Sequence, residues 1–138
     1  MPFAAVNGQT IHYQDSVPKA GSDAHAIILS HGFAMGHEMW EHQISPLVSA
    51  GWRVVAYDER GWGQTSYTAP FDYWDLAVDV LRLMDYLGID RAVLGGMSEG
   101  GQLNQEEANL VVGMLAPPAA SSSSSALGEE WYLSLIHI

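Results

Sequence analysis

One serine in this chain stands in a pattern that is typical of a catalytic nucleophile. Ser98 lies within Gly96-Met97-Ser98-Glu99-Gly100, so that a glycine stands two positions before it and two after it. A serine at a tight turn between a strand and a helix needs such glycines, because larger side chains would clash at the strained bend. The following helix N-terminus would favour negative charge there. The pattern therefore predicts a hydroxyl that could attack a carbonyl carbon.

The Gly-x-Ser-x-Gly match is weak evidence by itself, but the sequence on both sides of it supports the assignment. About 0.1 chance matches are expected in a chain this rich in glycine and serine. Residues 92–95 form a short apolar run that suits a buried strand, and this run ends at the motif. Helix-like sequence follows it. The order of strand, serine turn and helix is the context that the motif requires.

A second segment offers backbone groups that could bind an oxyanion. Ser30-His31-Gly32-Phe33 closes another apolar run, residues 26–30. The bare Gly32 would let the backbone approach the site closely. The N–H of Phe33 is then one expected donor to a negative oxygen, and the N–H of Glu99 is the other.

The elements that must position these residues follow from the hydrophobic pattern. Asn7-Gly8 predicts a tight hairpin turn between two β-type runs. Three buried strands and two amphipathic helices are then expected, at 26–30, 53–57 and 92–95 and at 37–50 and 73–87. This alternation implies right-handed crossovers and a parallel sheet behind the antiparallel hairpin. Ligands bind outside the carboxyl ends of such strands.

The composition excludes several classes of site and partner. Five Lys and Arg stand against sixteen Asp and Glu in 138 residues, a net charge of −11. Because nucleic acids and anionic membranes are bound by clustered basic residues, neither partner is expected. The absence of cysteine excludes disulfides, iron–sulfur clusters and thiol nucleophiles. No signal peptide or long apolar run is visible, so the expected location is the cytoplasm.

Three segments together resemble the N-terminal half of an α/β-hydrolase. They are His31 to Ala34 with Trp40 following, Tyr57 to Thr65, and Leu94 to Gly101, in the order that the family shows. The resemblance implies an antiparallel hairpin that leads into a mostly parallel sheet flanked by helices, here incomplete. It also implies Ser98 as nucleophile and the Phe33 and Glu99 amides as oxyanion hole. Gly96 and Gly100 would support the tight turn at the serine, which is called the nucleophile elbow, and His31 and Gly32 would support the oxyanion loop.

The residue at the elbow narrows the activity that the resemblance implies. Epoxide hydrolases and haloalkane dehalogenases of this family carry Asp there, so Ser98 favours esterases, enol-lactonases, carbon–carbon bond hydrolases and haloperoxidase-like enzymes. These share acyl transfer through a serine ester, which water then cleaves. The expected partner is a small ester, lactone or related acyl substrate, without cofactor or metal. The oligomeric state stays open.

The family triad also needs an acid and a histidine after the serine, and neither can be placed on this chain. His137 follows Ser98 but lacks a preceding strand of the family pattern and an acid partner. The chain itself is therefore expected to be inactive. The alternative interpretation is a catalytically inactive fragment or binding module that keeps the hydrolase fold.

The pattern changes after Gln102. No further strand–helix unit appears, and Ser121 to Ser125 is a low-complexity run of linker type. Residues 133–138 equal one reading frame of a transposon-end adapter that is used in sequencing libraries. We therefore expect a truncated α/β-hydrolase domain over residues 1–115, followed over 116–138 by a linker and a non-native tail.

Several other polar residues have structural interpretations. His31 precedes the serine and is expected to shape the oxyanion loop, not to act as the base. His31, His37 and His42 are separated by six and then five positions, and residues at these spacings do not lie on one face of a helix. We therefore expect solvated or capping roles for these histidines and no metal site. Asp58 and Arg60 look like a charge pair fit for a site, but the family resemblance implies that this segment is structural and ties down the loop after the strand.

The helix expected over 73–87 has an acidic side that should face solvent and an apolar side that should face the core. The acidic side carries Asp72, Asp75, Asp79 and Asp85, with Arg82 among them. Tyr73, Trp74 and Met84 are expected to pack in the core.

Overall fold

The computed structural model describes residues 2–19, 21, 24–32, 34–67 and 69–97, and the strand positions 124–125 and 131–137. The described elements are the strands β1 (Phe3–Val6), β2 (Gln9–Ser16), β3 (Ala26–Ser30), β4 (Arg53–Tyr57), β5 (Arg91–Met97), β6 (Ser124–Ser125) and β7 (Trp131–His137), a 3₁₀ helix (His37–Trp40), and the helices α1 (Glu41–Ser49) and α2 (Tyr73–Leu87). The strands form one mixed sheet in the order β1-β2-β4-β3-β5-β7-β6.

The centre of the sheet is parallel, as the alternation of strands and helices predicted. β3 pairs in parallel with β4 on one side and with β5 on the other. The hairpin β1-β2 joins the edge of β4 in antiparallel fashion. Its turn residues Asn7 and Gly8 have φ angles of 49° and 72°, which suits the predicted two-residue turn. The predicted fold class is confirmed.

Two hydrophobic clusters cover opposite faces of the central strands. Ile28 of β3 and Val55 of β4 pack with the apolar side of α2. Their neighbours Ile27 and Val54 point to the other face, where the cluster includes Trp40 and is flanked by α1. Because successive strand residues alternate between faces, a strand covered on both sides must be apolar throughout. This explains the continuous apolar runs.

The helix α2 begins and ends where its sequence predicts. The side chain of Asp72 accepts a hydrogen bond from the Asp75 N–H, and the Asp75 side chain accepts one from the Asp72 N–H. This capping box satisfies two free donors of the first turn. Gly88 ends the helix in the left-handed region, with φ of 69°. The helix expected over 37–50 is instead divided into the 3₁₀ helix and α1.

The predicted division of α2 into an acidic exposed side and an apolar buried side is wrong at three positions. Asp79 is buried, with 2% of its surface exposed. Both its carboxylate oxygens bind Arg60, at 2.6 and 2.7 Å, and Asn7 Nδ2 donates to one of them. The aromatic residues Tyr73 and Trp74 are 39% and 56% exposed and do not lie in the core. Asp79 is therefore buried and not solvated, because its partner Arg60 lies on a distant loop and is buried as well.

The last two described strands follow a different arrangement from the central ones. β7 pairs antiparallel with the whole of β5, and β6 pairs antiparallel with β7. Both lie within the range 116–138 that was expected to form a linker and tail, and the boundary near residue 115 lies outside the described residues. Within the described part of the chain, no helix has the length and apolar character that a bilayer crossing requires.

The two ion pairs of α2 should differ strongly in their contribution to stability. We expect Asp79→Ala to lower the free energy of unfolding by about 3 kcal/mol, because it leaves the buried Arg60 guanidinium without its carboxylate. The matched control Asp85→Ala removes an exposed pair with Arg82 and should cost less than about 0.5 kcal/mol. Urea unfolding of the two variants measures both values. Equal losses would show that the Arg60–Asp79 pair is not a buried structural contact.

Candidate active site

The structure describes some of the sequence-predicted site residues and not others. Ser98, Phe33, Glu99 and Gly100 lie outside the described residues. The supporting residues His31, Gly32 and Gly96 are described. The described residues that bear on the site are therefore those directly before Ser98 and those on both sides of residue 33.

The carboxyl ends of β3 and β5 lie side by side. The parallel register pairs Ser30, the last residue of β3, with Gly96 of β5. Ser30 is also fixed to the neighbouring β4 by a hydrogen bond of 2.8 Å between its hydroxyl and that of Tyr57. The predicted serine motif and the predicted oxyanion loop thus leave the sheet at the same edge, from adjacent strands. This is the edge at which ligands bind in such sheets.

Gly32 lies in close contact with the end of β5. A Cβ atom built on Gly32 would lie 3.4 Å from the Met97 Cε and 3.5 Å from the Met97 carbonyl oxygen. It would also lie 3.4 Å from the Met35 sulfur. At these distances a Cβ atom would be in van der Waals contact with all three atoms. The loop after β3 therefore passes close to the residue that directly precedes Ser98.

His31 is fully buried and uses both ring nitrogens to hold the loop. Its Nε2 accepts a hydrogen bond of 2.9 Å from the Glu59 N–H, so the proton is on Nδ1. That Nδ1–H donates to the Gly32 carbonyl at 2.8 Å. Burial lowers the pKa of His31 below its ordinary 6.5, against the smaller raising effect of the bond to Gly32. In this arrangement neither nitrogen has a lone pair free to accept the proton of a serine.

The carboxylate of Asp58 joins three separate segments of the chain. One oxygen, Oδ1, accepts from the backbone N–H and the ring Nδ1–H of His37, at 2.7 and 2.8 Å. The other, Oδ2, accepts from His12 Nδ1–H at 2.9 Å and from the Gln64 N–H at 3.0 Å. Asp58 has no exposed surface. Burial alone would raise its pKa, but these donors outweigh burial and hold the pKa below its ordinary 3.8.

A glycine makes room for this carboxylate. A Cβ atom built on Gly63 would lie 2.3 Å from the Asp58 Cγ, closer than real contacts allow. Gly63, which lies in the segment 57–65 that resembles the family, is therefore required by the buried side chain beside it. Asp58 and Arg60 do not pair with each other: Asp58 binds His12 and His37, and Arg60 binds Asp79.

His12, His37 and Asp58 are the described residues whose ligand atoms could share a metal ion, since these atoms lie within 4.8 Å of one another. The hydrogen bonds show instead that these atoms bind one another in this structure. A carboxylate only accepts, so both Nδ1 atoms must carry the protons, and each oxygen already has two donors. The cluster is thus complete as a hydrogen-bond network.

The expectation of solvated or capping roles for the three spaced histidines is correct only for His42. The His42 side chain is 85% exposed and lies beside Glu41. His31 and His37 are buried, because each has a fixed partner in the loop after β4. Nothing in the sequence pattern marked His12, which lies in an alternating strand. Only the fold brings it to Asp58.

Trp62 lies beside a surface hollow near this loop. The hollow has a volume of about 450 Å³ and is lined by Arg60, Gly61, Trp62, Tyr67, Pro70 and Phe71. The Arg60 guanidinium lies 5.5 Å from the centre of the Phe71 ring, over its face. At this distance the positive charge and the ring attract each other, so the two side chains form one wall of the hollow.

Comparison with known proteins extends this picture. A putative non-heme chloroperoxidase from Synechocystis is 37% identical over 106 residues, which are 72% of this chain and 37% of the relative. A 3-oxoadipate enol-lactonase from Acinetobacter baylyi is 37% identical over 94 residues, 68% of this chain and 34% of the relative. The chain thus spans little more than a third of these relatives.

Solved structures of hydrolases share the fold of this chain. The crystal structure of the enol-lactonase from Burkholderia xenovorans LB400 aligns with a TM-score of 0.72 and 39% identity, over 78% of this chain and 41% of that one. Epoxide hydrolase A from Mycobacterium thermoresistibile aligns with a TM-score of 0.71 at 28% identity. Residues 25–104 match the model of the alpha/beta hydrolase fold family. The chain belongs to the α/β-hydrolase family.

Proposed function

We propose that this chain is part of a serine hydrolase that acts on a small carboxylic ester, lactone or related acyl substrate. The observation that carries the proposal is the closeness of Gly32 to Met97, because the loop before Phe33 then runs beside the residue before Ser98. Relatives named as an enol-lactonase and as a bifunctional esterase/perhydrolase support this substrate class. We also propose a cytoplasmic location.

In the proposed reaction, the Ser98 hydroxyl attacks the carbonyl carbon of the substrate. The carbonyl oxygen becomes negative and accepts hydrogen bonds from the backbone N–H groups of Phe33 and Glu99. The alcohol or enol oxygen leaves with a proton, and a serine ester remains. Water then cleaves this ester and releases the acid.

This reaction needs a general base, and His31 does not serve as one in the described arrangement. Its Nε2 lone pair is occupied by the Glu59 N–H, and its Nδ1 proton is held by Gly32. The family resemblance calls for a histidine and an acid that follow the serine, and we assign no residue of this chain to either role. We therefore propose that the chain by itself turns over very little substrate.

A second candidate is a catalytically inactive module that keeps the hydrolase fold. It follows from the unassigned base and acid, whereas the bonds of His31 do not separate the two candidates, because both give this histidine a structural role. The two candidates differ in one property, which is the reactivity of Ser98.

Reaction with a serine-directed fluorophosphonate separates the two candidates. We expect mass spectrometry of the full chain to find slow labelling of Ser98, because an oxyanion hole retains part of its effect without the other triad members. Ser98→Ala should abolish the label, and Ser66→Ala, at an exposed serine, should leave it unchanged. An unlabelled but folded protein would support the inactive module. Turnover of an activated ester that Ser98→Ala abolishes would contradict the proposed inactivity of the chain.

The structural role of His31 predicts a pH-dependent contribution to stability. Unfolded His31 takes up a proton as the pH falls through 6.5, and the buried ring does so only at lower pH. The wild type therefore loses unfolding free energy in this window, and His31→Gln lacks this loss. We expect the stability gap between the two proteins to narrow between about pH 7.5 and about pH 5.5. Urea unfolding measures the gap, and a gap that widens towards low pH would contradict the buried neutral ring.

A further inference from the structure

The loop of residues 31–37 is fastened at both ends to two consecutive residues. At its start, His31 Nε2 accepts from the Glu59 N–H at 2.9 Å. At its end, the His37 N–H donates to Asp58 Oδ1 at 2.7 Å. Position 33, which carries one proposed oxyanion donor, lies between these two attachments. The placement of the described residues on both sides of position 33 therefore depends on how firmly Asp58 and Glu59 are held.

The second attachment depends on the orientation of the Asp58 carboxylate. The terminal torsion of an aspartate is broad and roughly two-fold, so the side chain does not fix its own oxygens. Oδ1 is held by His37, which is part of the loop itself. Oδ2 is held by the Gln64 N–H and by His12 Nδ1–H, outside the loop. Among the described side chains, His12 is therefore the one that fixes this carboxylate from a regular strand of the sheet.

His12 is itself held rigidly. Its N–H donates to the Thr65 hydroxyl at 2.8 Å, and its carbonyl accepts from the Asp58 N–H at 2.9 Å. Its ring lies edge-on to the His37 ring at 5.1 Å and is 4.9 Å from the ring of Phe3. Only 1% of its surface is exposed. A side chain with so little freedom can fix the group that it binds.

We infer that His12 is a positioning residue for the candidate active site. Its Nδ1–H fixes the Asp58 carboxylate, which through His37 fixes the far end of loop 31–37 and with it the proposed oxyanion donor at Phe33. The link to catalysis rests on the proposed function. The fixing of the loop does not, and it can be measured separately.

Two substitutions of His12 separate its hydrogen bond from its bulk. Asn can place an amide N–H close to the position of the histidine Nδ1–H, whereas Leu fills similar space without a donor. In the full chain we expect His12→Leu to speed amide exchange of His37 and Met35 about tenfold, because the loop opens locally once Oδ2 loses a donor. Exchange at Val80, in the core of α2, should change much less. His12→Asn should stay within about threefold of the wild type, and the exposed-site control His42→Leu should match the wild type.

The rate of fluorophosphonate labelling at Ser98 provides the functional readout. We expect His12→Leu to lower this rate about tenfold and His12→Asn to restore most of it. Equal acceleration of exchange at Val80 and His37 would overturn the inference, because His12 would then act only on global stability. Unchanged loop exchange in His12→Leu would overturn it as well. If Ser98 is unlabelled in every protein, the proposed function fails and the exchange data alone decide whether His12 fixes the loop.

Discussion

The buried carboxylate of Asp58 is the contact on which the arrangement of the candidate site depends. It accepts four N–H donors from the first hairpin, from the start of the 3₁₀ helix and from the loop after β4. A buried charge without such donors would be costly. With them, the charge becomes the common attachment of three segments of the chain. The loop before the 3₁₀ helix is positioned by this attachment and by His31.

The parallel centre of the sheet provides the second constraint. β3 and β5 are adjacent and parallel, so the chain leaves both strands at the same edge. Gly32 lies so close to Met97 that a Cβ atom built on it would touch Met97, so the two exits lie together. A proposed nucleophile on one exit and a proposed donor on the other need this juxtaposition, because an oxyanion forms within bonding distance of both. The parallel sheet thus brings the two exits close together, and the hydrogen bonds of Asp58 hold the loop before the 3₁₀ helix in place.

The regular elements could be predicted from the sequence, whereas the polar network could not. The strands β3 and β4 and the helix α2 were predicted with the bounds that the structure has, since apolar runs and helical spacing report burial directly. Asp79 looked like part of a solvated face, because its partner Arg60 lies on a distant loop. His12 carried no signal, because the alternation of a strand shows on which face a residue lies but not which loop side chain covers that face. Such contacts depend on three-dimensional placement, which local periodicity does not encode.

A crystal structure of the chain after reaction with a fluorophosphonate is the most direct measurement of the proposed site. The phosphonyl oxygen takes the place of the substrate oxyanion in such an adduct. We expect it on Ser98, at about 2.7–3.1 Å from the backbone nitrogens of both Phe33 and Glu99. An adduct on Ser98 whose phosphonyl oxygen is bound by neither amide would contradict the proposed oxyanion hole and the role of the loop after β3.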